Sequence, residues 1–262
     1  MTSVAIIGLG YIGQAQFRMF SKAGFDAFGW DVLSEEPYPY ERIAFCDFAV
    51  ICVGTPQEPD GHADLTYLND ALAMLPPGVP VLIRSTVPPG TTEIVQGSSG
   101  PAVNFKPRMI AHAPEFMHER EGGAWAESTD VPFLILGGSD EAQDFFLPHL
   151  SRLFPRIHQC DVLTAELVKY VVNLYLATRV TFVNEMAQIT EQFAGNWTEV
   201  QVAWLMDPRI TLEYTGMAGF EPGFGGRCWP KDLAALIAAS EDAGYDPEFL
   251  KAVRTANERF RS

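Results

Sequence analysis

The feature that most constrains this chain is the run "VAIIGLGYIG" at residues 4 to 13. A strand-like apolar stretch passes through Gly8-x-Gly10-x-x-Gly13 directly into a helical pattern rich in Ala, Gln, Phe and Met. Glycines at this spacing permit a tight turn and close backbone approach, so a pyrophosphate can rest on the helix N-terminus. Eighteen residues after Gly13, Asp31 ends the next strand-like run, "DAFGWD". A carboxylate there accepts hydrogen bonds from an adenosine ribose and repels a 2′-phosphate, which favours NAD over NADP. The cofactor-facing candidates are Gly8, Gly10, Tyr11, Ile12, Gly13 and Asp31. The blander alternative, a glycine turn followed by a capping aspartate, requires strand, spacing and acid to coincide.

Further apolar runs alternate with helical patterns: "FAVICVG" at 48 to 54, "VPVLIRS" at 79 to 85, "PRMIAHA" at 107 to 113 and "VPFLILGG" at 131 to 138. Strands alternating with helices build βαβ units and a parallel sheet. From Leu163 to roughly Ala194 the chain is one helical pattern without Pro or Gly. The expected fold class is therefore α/β, a doubly wound parallel-sheet Rossmann domain over 1–160, followed by a smaller all-helical domain with one long helix over 161–262. A helix of that length usually has a partner along it, so a homodimer across it is expected, the alternative being a helix wrapped by its own chain.

Composition removes other function classes. A net charge of −15 argues against a nucleic-acid partner, which needs a basic stripe to displace counterions. No apolar run approaches the ~18 residues of a membrane span. The N-terminus enters a strand-like run without a basic leader, so a cytoplasmic location is expected. Cys46, Cys52, Cys160 and Cys228 are scattered, without metal-ligand spacing, so neither a disulfide framework nor a metal site is expected.

Five segments carry candidate chemistry. "ICVGTP" and "STVPPGTT" each end a strand-like run at the edge where doubly wound sheets bind ligands, so Val53, Thr55 and Thr86 are candidates there, although Ser and Thr are also ordinary turn residues. In "APEFMHERE", Glu115 and Glu119 are four apart and would share one helical face, as they also would in a solvated acidic first turn. Lys169 and Asn173, four apart on the long helix, could donate together to an oxyanion, or be a surface lysine beside a packed amide. In "PGFGGRCWPKDLAAL", Pro230 suits the first position of a helix, which puts Cys228 just before it. The helix dipole, and Lys231 if near, would favour the nucleophilic thiolate over an inert buried cysteine. Glycines at 223, 225 and 226 leave room for substrate, and Asp232 could order a water or pair with Lys169.

Together the dinucleotide fingerprint, "STVPPGTT", "PEF" with a second Glu, "ELVKYVVNLYLA" and "GFGGRCWPKD" resemble, in that order, the UDP-glucose/GDP-mannose dehydrogenase family. The resemblance implies oxidation of a nucleotide sugar's primary alcohol to a carboxylate with two NAD molecules, through a thiohemiacetal and then a thioester on Cys228. It implies that Asp232 and Lys169 activate water or stabilise oxyanions, that Asn173 donates a hydrogen bond and that Glu119 and Thr86 assist proton handling. It places Glu115, Lys231 and Gly225 at the substrate, with Arg209 reaching the sugar of a neighbouring subunit. Two departures stand out. The segment between the second strand and "ICVGTP" is short, and the chain ends at "AVRTANERFRS", where the family continues into a domain for the nucleotide half. Other readings are a two-electron β-hydroxyacid dehydrogenase, which leaves Cys228 unexplained, and a non-catalytic NAD-binding subunit completed by a partner chain.

Overall fold

The computed structural model describes residues 1–97, 109–117, 131–211 and 222–262. They form two compact units, one of Met1–Pro56 with Ala63–Lys169, the other of Gln57–His62 with Tyr170–Ser262.

The first unit is built on a seven-stranded sheet in the order β2-β1-β3-β4-β5-β6-β7. Its strands are β1 (Ser3–Ile7), β2 (Asp26–Trp30), β3 (Phe48–Ile51), β4 (Val81–Ile83), β5 (Ile110–His112), β6 (Leu134–Gly137) and β7 (Ile157–Cys160). Successive side chains on a strand point to opposite faces, and here both faces are packed. Val4, Ile6 and Val50 join Phe20, Phe48 and Phe146 in a core on one side, while Ala5, Ile7, Ala49 and Ile51 join Leu68, Leu72 and Val81 on the other. This explains the unbroken apolar runs, since a half-solvated sheet would alternate with polar residues. The chain reverses its winding between β1 and β3, the point at whose carboxyl edge doubly wound sheets generally bind their ligands.

Two features differ from the expected parallel sheet. β7 has the sequence "IHQC" with no residue fully buried, which gives it no apolar signature in the sequence. β6 runs antiparallel to β5, joined through the pair His112 and Gly137, whereas every other neighbouring pair is parallel.

Helices α1 (Tyr11–Lys22), α2 (Tyr40–Ala44), α3 (Thr66–Met74), α4 (Thr91–Gly97) and α5 (Asp140–Leu150) complete this unit. α1 buries Gly13, Gln16 and Phe20, spaced at helical intervals, against the sheet. The long helix α6 (Val162–Gln192) begins here and continues as the spine of the second unit.

There, α7 (Trp197–Trp204), α8 (Trp229–Asp242) and α9 (Glu248–Arg261) follow α6. Leu174, Ala177, Phe224, Leu233, Ile237 and Val253 form the core of this unit. Val171, Tyr175 and Phe182 on α6 remain exposed. Among the described residues no helix is long and apolar enough to cross a membrane.

Candidate active site

The β1–α1 turn is shaped by two glycines. Gly8 has φ +88°, a conformation that L side chains rarely adopt, and a Cβ on it would lie 2.9 Å from the Cys52 carbonyl oxygen. A Cβ on Gly13 would sit 1.8 Å from the Gly8 carbonyl oxygen, so α1 starts in direct contact with the turn. Gly10 occupies the N-cap of α1 with no side-chain cap hydrogen bond, so the positive end of the helix dipole faces the glycine turn, as an anion site requires. Asp31 is fixed at the tip of β2, its Oδ2 accepting from the Leu9 amide at 2.6 Å and its Oδ1 from the Leu33 amide at 2.9 Å. A carboxylate with both oxygens anchored, beside a glycine turn at a helix N-terminus, fits a dinucleotide with an unsubstituted adenosine ribose. Tyr11 lies exposed at the start of α1, and Ile12 is half-buried.

At the carboxyl ends of β3 and β4, hydroxyls cross-link the two loops. Ser85 Oγ donates to the Val53 carbonyl at 2.7 Å and Thr55 Oγ1 to the Thr86 carbonyl at 2.7 Å. Thr55 is thereby a buried loop brace, while the Thr86 side chain remains half-exposed. α4, which follows "STVPPG", has its N-terminus filled by the protein itself. The buried Glu166 carboxylate accepts from the Gly90 amide at 2.6 Å, and from the Thr92 amide at 2.8 Å and hydroxyl at 2.6 Å. Burial pushes the Glu166 carboxyl above its ordinary range, against the pull of those bonds. The contact ties the first turns of α6, which carry Lys169, to the loop that carries Thr86.

Glu115, expected at the substrate, is buried in a network that sequence reasoning missed. Its Oε2 accepts from the Arg84 guanidinium and from Gln16 Nε2 at 2.6 Å, and its Oε1 from the amides of Phe116 at 2.8 Å and Met117 at 3.1 Å. Arg84 Nη1 also donates to the Ala113 carbonyl at 2.8 Å. A buried charge needs such pairing, and the pair fixes the backbone so that the Phe116 ring lies 5.2 Å from Lys169 Nζ. Lys169 itself is only 7% exposed. The signal for Arg84 was present as a charged residue inside the run "VLIRS", where a central strand should have none. Glu119 lies outside the described residues.

In the second unit Cys228 is the N-cap residue of α8, half-buried, with Pro230 in the first turn. Its carbonyl accepts the Asp232 amide at 2.9 Å, so the helix begins under it. Burial pushes the Cys46 and Cys160 thiols up, and Cys52 up to about 12, which lowers the thiolate fraction of each at neutral pH. Asp232 is fully buried, with Asn173 Nδ2 donating to its Oδ2 and Lys231 Nζ to its Oδ1, both at 2.6 Å. The carboxylate is thus held rigidly one turn after the thiol. Gly225 lies where a Cβ would meet Arg261 Nη1 at 2.8 Å. Arg209 is exposed in the loop after α7 and is tied to Asp207, Nη2 to Oδ2 at 2.6 Å.

Comparison with known proteins gives a concordant result. Residues 38–158 match the NAD-binding domain, and residues 163–259 the central domain, of the UDP-glucose/GDP-mannose dehydrogenase family. The UDP-glucose 6-dehydrogenase YwqF of Bacillus subtilis is 35% identical over 225 residues, which cover 83% of this chain and 50% of YwqF. Among solved structures, a UDP-glucose dehydrogenase from Pyrobaculum islandicum superimposes with a TM-score of 0.84 at 30% identity, covering 99% of this chain and 68% of that one. A UDP-D-ManNAc dehydrogenase from Pyrococcus horikoshii gives a TM-score of 0.79 at 26% identity, covering 99% and 69%. The chain spans about half the length of most of the curated relatives it matches.

Proposed function

This chain belongs to the UDP-glucose/GDP-mannose dehydrogenase family, and from that premise we propose that it carries the NAD-dependent, four-electron oxidation of a nucleotide sugar's primary alcohol to a carboxylate. UDP-glucose is the first substrate to test, because it names the similar proteins of Bacillus subtilis and Pyrobaculum islandicum. The observation that carries the reading is Cys228 at the N-terminus of α8, with a fixed carboxylate one turn later.

Gly8, Gly10, Gly13 and Asp31 would hold NAD, with Tyr11, Ile12, Val53, Thr55 and Thr86 as the further candidates along its path. When bound, NAD supplies a hydride acceptor for each of the two oxidations. The alcohol carbon first loses a hydride, and its hydroxyl a proton, to give an aldehyde. An aldehyde carbon offers no easy hydride, so the Cys228 thiolate adds to it and makes a tetrahedral thiohemiacetal. Loss of a second hydride and of the hydroxyl proton leaves a thioester, which water cleaves to the carboxylate and the free thiol. The α8 dipole favours the thiolate that begins this sequence. Asp232, held by Asn173 and Lys231, has the fixed acceptor geometry that orients a water. Lys169 carries the cation suited to a developing oxyanion.

Thr86 and Glu119 are assigned to proton handling, and Gly225, Lys231 and Arg209 to the sugar, by their match to the family's motifs. Glu115 acts by its bonds to Arg84 and the Phe116 amide. The exposed Val171, Tyr175 and Phe182 on α6 support a homodimer through that helix. Four free thiols fit a reducing, cytoplasmic location. A Cys228→Ala variant tests the assignment: with UDP-glucose and NAD it should form no acid, leaving aldehyde that hydroxylamine traps, whereas acid at the wild-type rate would remove Cys228 from the mechanism.

A further inference from the structure

The last helix of the chain, α9, turns Val253, Asn257 and Phe260 inward. An amide buried among apolar side chains is costly unless it is fully hydrogen-bonded. Asn257 spends both of its polar atoms on the main chain of a single residue: Oδ1 accepts from the Phe224 amide at 2.6 Å and Nδ2 donates to the Phe224 carbonyl at 3.0 Å. The side chain therefore reads Phe224 as a neighbouring strand would. Asn184, on α6, accepts from the next amide, that of Gly223, at 3.1 Å. The fit is close, since a Cβ on Gly223 would lie 2.7 Å from Asn257 Oδ1. The Phe224 ring is buried beside Leu174, Leu233 and Val253, so this residue is fixed through both its side chain and its backbone. Cys228 follows four residues later, and on its other side the first turn of α8 holds its carbonyl. The cysteine is suspended between two fixed points.

We propose that Asn257 is a positioning residue for Cys228, whose bidentate bond to Phe224 keeps the loop placed so that the thiol stays at the N-terminus of α8. This rests on Cys228 being the nucleophile. The bond spans 33 residues of sequence and joins the last turns of α9 to the loop before α8.

The test measures alkylation of Cys228 by iodoacetamide as a function of pH, with modification of each cysteine quantified on its own peptide, so that no substrate is needed. Wild-type protein should show a midpoint below the ordinary thiol value of ~8.5. In Asn257→Leu, which keeps the bulk and removes both bonds, the midpoint should rise, with roughly tenfold slower alkylation at neutral pH for each unit of rise. Asn257→Asp, which keeps the acceptor and loses the donor, should fall between the two. Phe260→Leu, at a buried position of the same helix outside the cluster around the Phe224 ring, should leave the midpoint in place while lowering the melting temperature. A low wild-type midpoint unmoved by Asn257→Leu, or moved equally by Phe260→Leu, would overturn the positioning role and leave the nucleophile intact. An ordinary midpoint already in the wild type would overturn the nucleophile reading and the positioning role with it.

Discussion

Replacing His112 by Leu should flatten the loss of stability in mild acid, by an amount that follows from where the imidazole sits. His112 lies on β5 in register with Ile83 of β4, fully buried, and neither ring nitrogen has a hydrogen-bond partner among the described residues. Burial first, and the nearby Arg84 charge second, press its pKa from 6.5 down to about 3. Between those values the unfolded chain binds a proton that the native protein refuses, so stability falls as pH drops. From 6.5 to pH 5 the loss is about 1.5 units at ~1.4 kcal/mol each, roughly 2 kcal/mol from this one group. Against a typical domain stability of about 5–15 kcal/mol that is readily measured. Leu removes this term and two unpaired polar atoms, so the variant should be no less stable than wild type at pH 7, within about 1 kcal/mol. Urea titrations at pH 7 and pH 5 should show the wild type losing about 2 kcal/mol more than His112→Leu across that interval. Equal losses in the two proteins would refute the reasoning.

Arg84→Met strands the Glu115 carboxylate without its counter-charge and should cost about 3–5 kcal/mol of unfolding free energy, whereas Arg84→Met/Glu115→Met should cost less than the sum of the single changes; strict additivity in a double-mutant cycle would contradict a coupled buried pair. Gly13→Ala drives a methyl group into the Gly8 carbonyl, so it should cost about 1–3 kcal/mol and weaken NAD binding by at least about tenfold in a calorimetric titration. Unchanged affinity would remove the β1–α1 turn from the cofactor site.

What could be read from the sequence was local. The glycine spacing and Asp31 announced the β1–α1–β2 unit because a tight turn, a helix start and a strand-ending acid all fall within one short window. The unbroken pattern after Leu163 announced α6, and Pro230 placed Cys228 at a helix start. What could not be read was long-range pairing. Gln16 and Glu115 are 99 residues apart, Gly90 and Glu166 are 76 apart, and nothing around Glu115 says that Arg84 will neutralise it. A pair of acids four apart beside a proline looked like one catalytic or solvated face, yet Glu115 is buried and bonded through both oxygens. β7 escaped because a half-exposed edge strand needs few apolar residues. Asn257 escaped because a helix that closes a loop through its backbone leaves no motif in either segment.

The central claim, a thioester route on Cys228, is tested most directly by the ratio of NADH formed to UDP-glucose consumed, with sugar limiting and NAD in excess. The account predicts two NADH for each sugar, with the carboxylate as product. One NADH for each sugar, with free aldehyde as the end product, would contradict it.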